Sequence, residues 1–250
     1  MLWILFAALF GTSAATLGFD TIQNLTVNEF LCLKDYNYSF YVARIWQSLG
    51  KFDEHGMQNM RNAHEAGFNV SAYIFPCLAK KCASPQEQVE TTINRLKSYN
   101  VHYERIFLDI EIFDWPNDIK ANRKFINAMC NKLDEMGVKW GIYTNENNWN
   151  KIVGKKFNKW KHKKLWWAYW GANNGTLKSN FKSFGGWKDF YMQQYAGDFK
   201  GPCRYDHKHN LSRARITLDR VNVKNFTKER YRVALTFSKG MYIIKVLSGN

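Results

Sequence analysis

The stretch Arg105-Ile106-Phe107-Leu108-Asp109-Ile110-Glu111 decides how the chain is read. Apolar β-formers lead into two carboxylates, Asp109 and Glu111, which stand two residues apart. On a strand, residues at that spacing share one face, ~6.5–7 Å apart along the chain. Ending a buried strand in paired acids is costly unless something uses them. The pair suits glycoside hydrolysis, in which one acid protonates the leaving oxygen and a second group stabilises the sugar cation. The bland alternative is an exposed strand end with solvated acids.

Outward from this stretch, strand and helix signals alternate. Strands are predicted at residues 16–20, 40–46, 69–75, 105–110, 138–143, 165–170, 190–195 and 215–223. Helices are predicted from Thr26 with Glu29 at the capping-box position, over 56–66, from Ser84-Pro85-Gln86-Glu87 to about Ser98, over 117–136 and over 149–159. The alternation implies an α/β fold, a single modified (β/α)8-like TIM barrel, less helical after Lys164. Reactive side chains of such barrels sit at the C-terminal ends of the strands, where Asp20, Asp109, Glu111 and Tyr143 all fall.

The 250 residues are enough for one domain with a sizeable core. Aromatics make up 16% of the chain, a share that fits a sugar cleft and equally a large core. The formal net charge of +15 points to anionic partners. Leu2–Phe10 is apolar and is followed by small residues up to Ala15, so residues 1–15 read as a signal peptide. No stretch is long and apolar enough for a membrane span. The five cysteines fit the secretory route: Cys77 and Cys82 are the expected disulfide, and the pairing among Cys32, Cys130 and Cys203 stays open. No metal site is expected, because there is no second close Cys pair and no His at zinc-finger spacing. Sequons begin at Asn24, Asn37, Asn69, Asn174, Asn210 and Asn225, of which Asn69, at the start of an apolar strand, is the poorest glycan acceptor.

Several motifs in order resemble the family 25 glycoside hydrolases, the lysozymes, and in particular the nematode and protist branch. They are Gly18-Phe19-Asp20-Thr21-Ile22-Gln23, Ala72-Tyr73-Ile74-Phe75-Pro76-Cys77, Leu108-Asp109-Ile110-Glu111, Gly141-Ile142-Tyr143-Thr144, Trp166-Trp167-Ala168-Tyr169-Trp170 and Gln193-Gln194-Tyr195. The resemblance implies that Glu111 is the general acid, that Asp109 faces the reaction centre and that Asp20 is a third cleft carboxylate. It implies substrate contacts from Tyr73, Tyr143, Trp170, Gln194 and Asp219; after Asp219 the family's usual Asn is replaced by Arg220. The implied layout is a lysozyme-like domain over 16–222 and a tail over 223–250 with no family counterpart. The implied function is a secreted or phagosomal/lysosomal N-acetylmuramidase, a cofactor-free monomer acting on bacterial peptidoglycan and drawn to anionic cell-wall surfaces.

Three other readings are weighed against this one. A chitinase-type barrel carries a longer run of alternating acids, which Ile106, Phe107 and Leu108 lack. A catalytically inactive glycan-binding protein on the same fold has no need of Asp20, Asp109 and Glu111 together. A nucleic-acid binder would use the lysines of 151–164, interleaved with Phe157 and Trp160, but a signal peptide removes the chain from most nucleic acid, so no nucleic-acid partner is expected.

Overall fold

The computed structural model describes residues 16–170, 181–203, 205–207, 210–212, 215–221, 232–238 and 241–247, with side chains over 16–170, 181–197 and 200–203. The expected signal peptide and the sequons at Asn174 and Asn225 lie outside the described residues.

In chain order the elements are β1 (Thr16–Thr21), α1 (Val27–Asp35), β2 (Tyr38–Gln47), β3 (Lys51–Phe52), α2 (Glu54–Glu65), β4 (Asn69–Ile74), α3 (Pro85–Ser98), β5 (Ile106–Asp109), α4 (Ile119–Glu135), β6 (Trp140–Thr144), α5 (Glu146–Val153), β7 (Lys164–Ala168), β8 (Met192–Lys200), β9 (Tyr205–His207), β10 (Asn210–Ser212), β11 (Arg215–Val221), β12 (Arg232–Ser238) and β13 (Met241–Leu247). The strands β1, β2, β4, β5, β6, β7 and β8 run parallel, each paired with the next, and β11 closes the ring between β8 and β1. The α/β barrel expected from the sequence is therefore present, and no helix follows α5 among the described residues. The closing strand departs from an all-parallel ring, because β11 is antiparallel to both neighbours. It returns after the small β9–β10 hairpin, and an antiparallel neighbour needs no helical crossover. Residues Thr16–Asn222 form one compact unit. In the other unit β12 and β13 form an antiparallel hairpin with Val233 opposite Val246 and Phe237 opposite Tyr242.

Local chemistry explains most boundaries. Thr26 and Ser84 each accept a hydrogen bond from a backbone N–H three residues on, and Glu29 and Glu87 bond back to the cap, completing two capping boxes. The helix expected over 149–159 is instead α5: Asn145 caps its start through Asn148 N–H (2.9 Å), and Gly154 at φ +84° ends it.

Strand alternation divides the core in two. Phe19, Ile45, Ala72, Leu108, Ile142 and Leu165 pack outward in the layer beneath the helices. Phe107, Trp166 and Met192 fill the barrel interior. Two glycines make room there, since a Cβ on Gly18 would lie 2.4 Å from the Phe40 ring and one on Gly141 2.9 Å from the Phe107 ring. The acceptor Asn69 is exposed at the start of β4, so the strand's apolarity does not bury it; its partners Val70, Ala72 and Ile74 point inward instead.

Both disulfides are formed, Cys77–Cys82 as expected and Cys32–Cys203 across 171 residues, which leaves Cys130 free and buried. The long bridge ties α1 to the chain just beyond β8. Replacing Cys32 by Ser is expected to cost about 2–5 kcal/mol, read from urea unfolding, because the unfolded chain loses a large closed loop. Non-reducing peptide mapping should link the Cys32 and Cys203 peptides, and labelling of Cys130 should require unfolding.

Candidate active site

The C-terminal ends of β1, β5 and β6 and the early part of β8 bring four of the expected site residues to one mouth. Asp109 is the last residue of β5, and Glu111 stands just beyond the strand rather than on it. The backbone is nevertheless held through that point: Ile110 N–H donates to the Tyr143 carbonyl (2.9 Å), and the Ile110 carbonyl accepts from Thr144 Oγ1 (2.6 Å). Leu108 and Ile110 are fully buried in the outer core, so the alternate residues Phe107, Asp109 and Glu111 face the barrel axis and its mouth.

A hydrogen-bonded bridge spans the mouth. Gln194 on β8 donates through Nε2 to Asp20 Oδ2 (2.9 Å), and its Oε1 accepts from Tyr143 Oη (2.8 Å) and Trp170 Nε1 (2.9 Å). Gln194 itself is buried. Trp170 is 56% exposed, and its ring lies over Gly197, where a Cβ would approach it to 2.3 Å. The Trp170 strand end is fixed by Tyr169 N–H donating to Gln194 O (2.9 Å) and Gln193 Nε2 donating to Tyr169 O (3.2 Å). Beneath this layer Trp166 forms an aromatic floor, with ring centroids 4.5 Å from Tyr143, 5.3 Å from Phe107 and 6.0 Å from Tyr73.

Burial sets the electrostatics of the mouth. Burial holds the Asp109 carboxyl well above the ordinary carboxylate range, and the neighbouring Glu111 and Asp20 charges push it further up. Burial also raises Glu111. The two titrate together, and the pair retains a proton where isolated carboxylates would have lost theirs. Tyr73 is kept a neutral phenol, first by burial and then by the charges of Asp20 and Asp109. Asp109 Oδ1 is buried and has no hydrogen-bond partner among the described residues. A buried carboxylate oxygen left unpaired is expensive, and it is a place where a ligand's N–H or O–H would be stabilised.

Asp20, Asp109, Glu111, Tyr73 and Tyr143 thus converge as the sequence predicted, and Trp170 stands at their edge. Gln194 differs in kind: its amide is spent on Asp20, Tyr143 and Trp170, so it positions those groups. Asp219 sits on β11 in register with Gly18 on one side and Gln194 on the other; its side chain is outside the described residues. The Cys77–Cys82 loop follows β4 and is pinned by Gln88, whose side chain exchanges hydrogen bonds with the Cys77 backbone (2.9 Å each) and accepts from Trp46 Nε1 (3.1 Å).

Sequence reasoning missed several contributors. Gln88 and Asn59 are buried amides on helices, Asn59 holding the turn after Asp20 through Leu25 N–H (2.9 Å) and the Gln23 carbonyl (2.7 Å). Their only signal is a polar residue on the apolar face of an amphipathic helix. Phe75 and Phe113, 5.3 Å apart, stand on the loops after β4 and β5, with Phe113 exposed. The exposed apolar pair Ile112-Phe113 directly after Glu111 was the available cue. Arg44, within β2, pairs with the buried Asp53 at 2.7 Å.

A (β/α) barrel with three carboxylates at its C-terminal mouth and an aromatic edge is the architecture of a glycoside hydrolase. The profile of the family described as Lysozyme-like protein 1 matches residues 11–195. Lysozyme-like protein 5 of Caenorhabditis elegans is 38% identical over 193 residues, 76% of this chain and 88% of that protein. Probable GH family 25 lysozyme 4 of Dictyostelium discoideum is 33% identical over 196 residues, 78% and 90% of the two chains. The structure of a family GH25 lysozyme from Aspergillus fumigatus shares the fold, with a TM-score of 0.62 at 18% identity, covering 86% of this chain and 98% of that one. The chain belongs to the lysozyme-like family 25 glycoside hydrolases.

The unpaired Asp109 gives a stability test. A carboxyl whose folded pKa is raised contributes fully below the ordinary carboxylate pKa and costs stability as pH rises towards the folded value. Asp109→Asn should therefore be more stable than the wild type at pH 7, by about 1–3 kcal/mol. The gain should vanish below about pH 4, as followed by urea unfolding across pH.

Proposed function

We propose that the protein is an N-acetylmuramidase that hydrolyses the β-1,4 bonds between N-acetylmuramic acid and N-acetylglucosamine in bacterial peptidoglycan. The observation that carries this reading is Asp109 Oδ1, buried and unpaired beside Glu111 and Asp20. Glu111 is the general acid: it is half-buried, its pKa is raised, and it lies at the solvent-facing edge of the pair, where a glycosidic oxygen can reach it. Asp109 orients the substrate's own N-acetyl group, whose amide N–H meets Oδ1 and whose oxygen attacks the anomeric carbon. Two acids carried on one strand end approach the sugar from one side, which favours this substrate-assisted course over direct attack by Asp109 from the opposite face. Asp20, held by Gln194, supports the charge that develops. Tyr73 and Tyr143 line the cleft, Trp170 offers a face on which a sugar ring stacks, and Asp219 is the fourth acid of the set.

The same reading includes the wider setting. Residues 1–15 are a signal peptide, 16–222 the hydrolase domain and 223–250 an appended tail; the product is a monomer that reaches the exterior or the phagosome and lysosome, where it serves defence or digestion of bacteria. Two disulfides and exposed sequon asparagines at Asn24, Asn37 and Asn69 support that route and glycan attachment.

The test is clearance of a peptidoglycan suspension with release of reducing ends. Glu111→Gln should lower kcat by about 10²–10⁴-fold, with glycan binding retained. Because the acid form of Glu111 is needed, activity should persist above the ordinary carboxylate range and fall as pH rises through its raised pKa. Substrates without an N-acetyl group on the cleaved sugar should scarcely react. A covalent sugar ester on Asp109 would overturn the substrate-assisted course, and undiminished turnover by Glu111→Gln would overturn the assignment.

A further inference from the structure

The lysines of this chain are not spread evenly. Between Glu146 and Asp189 there is no acidic residue, while ten lysines occur. Lys155, Lys156, Lys159, Lys161 and Lys163 fall on the turns between α5 and β7, and Lys188 on the turn just before β8. These turns precede the N-terminal ends of the strands, at the opposite end of the barrel from the carboxylate mouth.

The turns form a rigid surface. Trp149 Nε1 donates to the Phe157 carbonyl (2.9 Å), Trp160 Nε1 to Asn127 Oδ1 (2.9 Å) and Trp187 Nε1 to the Lys163 carbonyl (2.9 Å). Trp149, Trp160 and Trp187 are all buried. The turn at 158–161 packs on the turn before β8 so closely that a Cβ on Gly186 would lie 2.9 Å from Lys161 Cβ and 3.0 Å from Asn158 Cβ. Lys155, Lys156, Lys159 and Lys161 are exposed on this frame, and none forms an ion pair among the described residues. Two acids at the end of α4 are already engaged, Asp134 by Lys163 and Glu135 by Lys132.

We infer that this face docks a phosphodiester-linked wall polymer, a polyol phosphate, while the catalytic mouth stays free. Unpaired ammonium groups on a fixed frame attract a polyanion at little ordering cost. The choice of polymer follows from what the face lacks. Binding of single-stranded nucleic acid uses exposed aromatic rings for base stacking. Here Trp160 is buried, and its ring is covered by Lys159 Nζ at 4.7 Å. Phe157 is half-buried with Arg123 over its ring at 5.0 Å, so among the described residues the face offers charge but no exposed Phe, Tyr or Trp ring, which suits a polymer that has phosphates and no bases. The inference rests on the reading of the bacterial wall as the substrate. Its consequence is spatial: polymer and glycan are held at opposite ends of the barrel at the same time.

The test compares the full chain with the variant Lys155→Gln, Lys156→Gln, Lys159→Gln, Lys161→Gln on immobilised poly(glycerol phosphate). The variant should bind at least ~10-fold more weakly at low salt, and the slope of log affinity against log salt should flatten by about 3, as expected for losing four phosphate contacts. Hydrolysis of a soluble peptidoglycan fragment should be the same for both proteins and unaffected by added polymer. If the quadruple variant is poorly folded by thermal unfolding, Lys155→Glu with Lys156→Glu on the exposed turn gives the same reading. Equal polymer binding by wild type and variant, competitive inhibition of fragment hydrolysis by the polymer, or tighter binding of poly(U) than of poly(glycerol phosphate) would each overturn the inference. Absence of fragment hydrolysis by the wild type would count against the muramidase reading alone, because polymer binding is measured separately.

Discussion

The hydrogen bond from Gln194 on β8 to Asp20 on β1 spans 174 residues of sequence and fixes the mouth in which the acids stand. An unpaired carboxylate held over an aromatic floor is a destabilising arrangement, and only a closed barrel keeps it there. Gln194 spends its donor on Asp20 and its acceptor on Tyr143 and Trp170, so the charge, the floor and the exposed indole share one buried side chain. The floor in turn depends on Gly18 and Gly141, which have no Cβ to displace the Phe40 and Phe107 rings. Asp109 is left with the unsatisfied oxygen. Two of its neighbours, Glu111 and Asp20, are themselves acids.

What the sequence discloses depends on the range of the interaction. The helix α3 can be read to the residue, because Ser84, Pro85 and Glu87 act within one turn. The barrel can be read because strand and helix periods alternate, and Asp109 and Glu111 because acids at the end of an apolar strand conflict with their surroundings. The end of α5 was misplaced because helix-compatible residues continue past Gly154, whose positive φ is a single-residue event. The direction of β11 and the Cys32–Cys203 bridge are settled by which strand lies next to which, and no local signal carries that. The amides of Gln88, Asn59 and Gln194 were hidden for the same reason: each looks like an ordinary polar residue until its distant partners arrive.

The aromatic residues among the lysines show the same limit from the other side. In sequence, Phe157 and Trp160 inside a basic run resemble a stacking surface for bases. In the fold, Trp160 packs on Trp140 with ring centroids 5.4 Å apart, and Phe157 packs on Trp149 at 5.8 Å, so both serve as anchors for the turn. The interleaving records alternate burial and exposure, with apolar residues going in and lysines staying out.

That separation also protects the chemistry. A cation beside Asp109 or Glu111 would favour their charged forms and lower their pKa values, working against the proton that the proposed role of Glu111 requires. Arg44 is a described cation near the mouth, and the buried Asp53 pairs with it; its charge reaches Tyr73 but does not figure among the influences on Asp109. The lysine-rich turns lie a strand's length away, and five residues of β7 span about 17 Å. That is about twice the screening length at physiological salt, roughly 8 Å. With those lysines at the far end of the barrel, burial remains the main influence on the acid pair, and a strongly basic protein keeps the pKa values of both carboxyls raised.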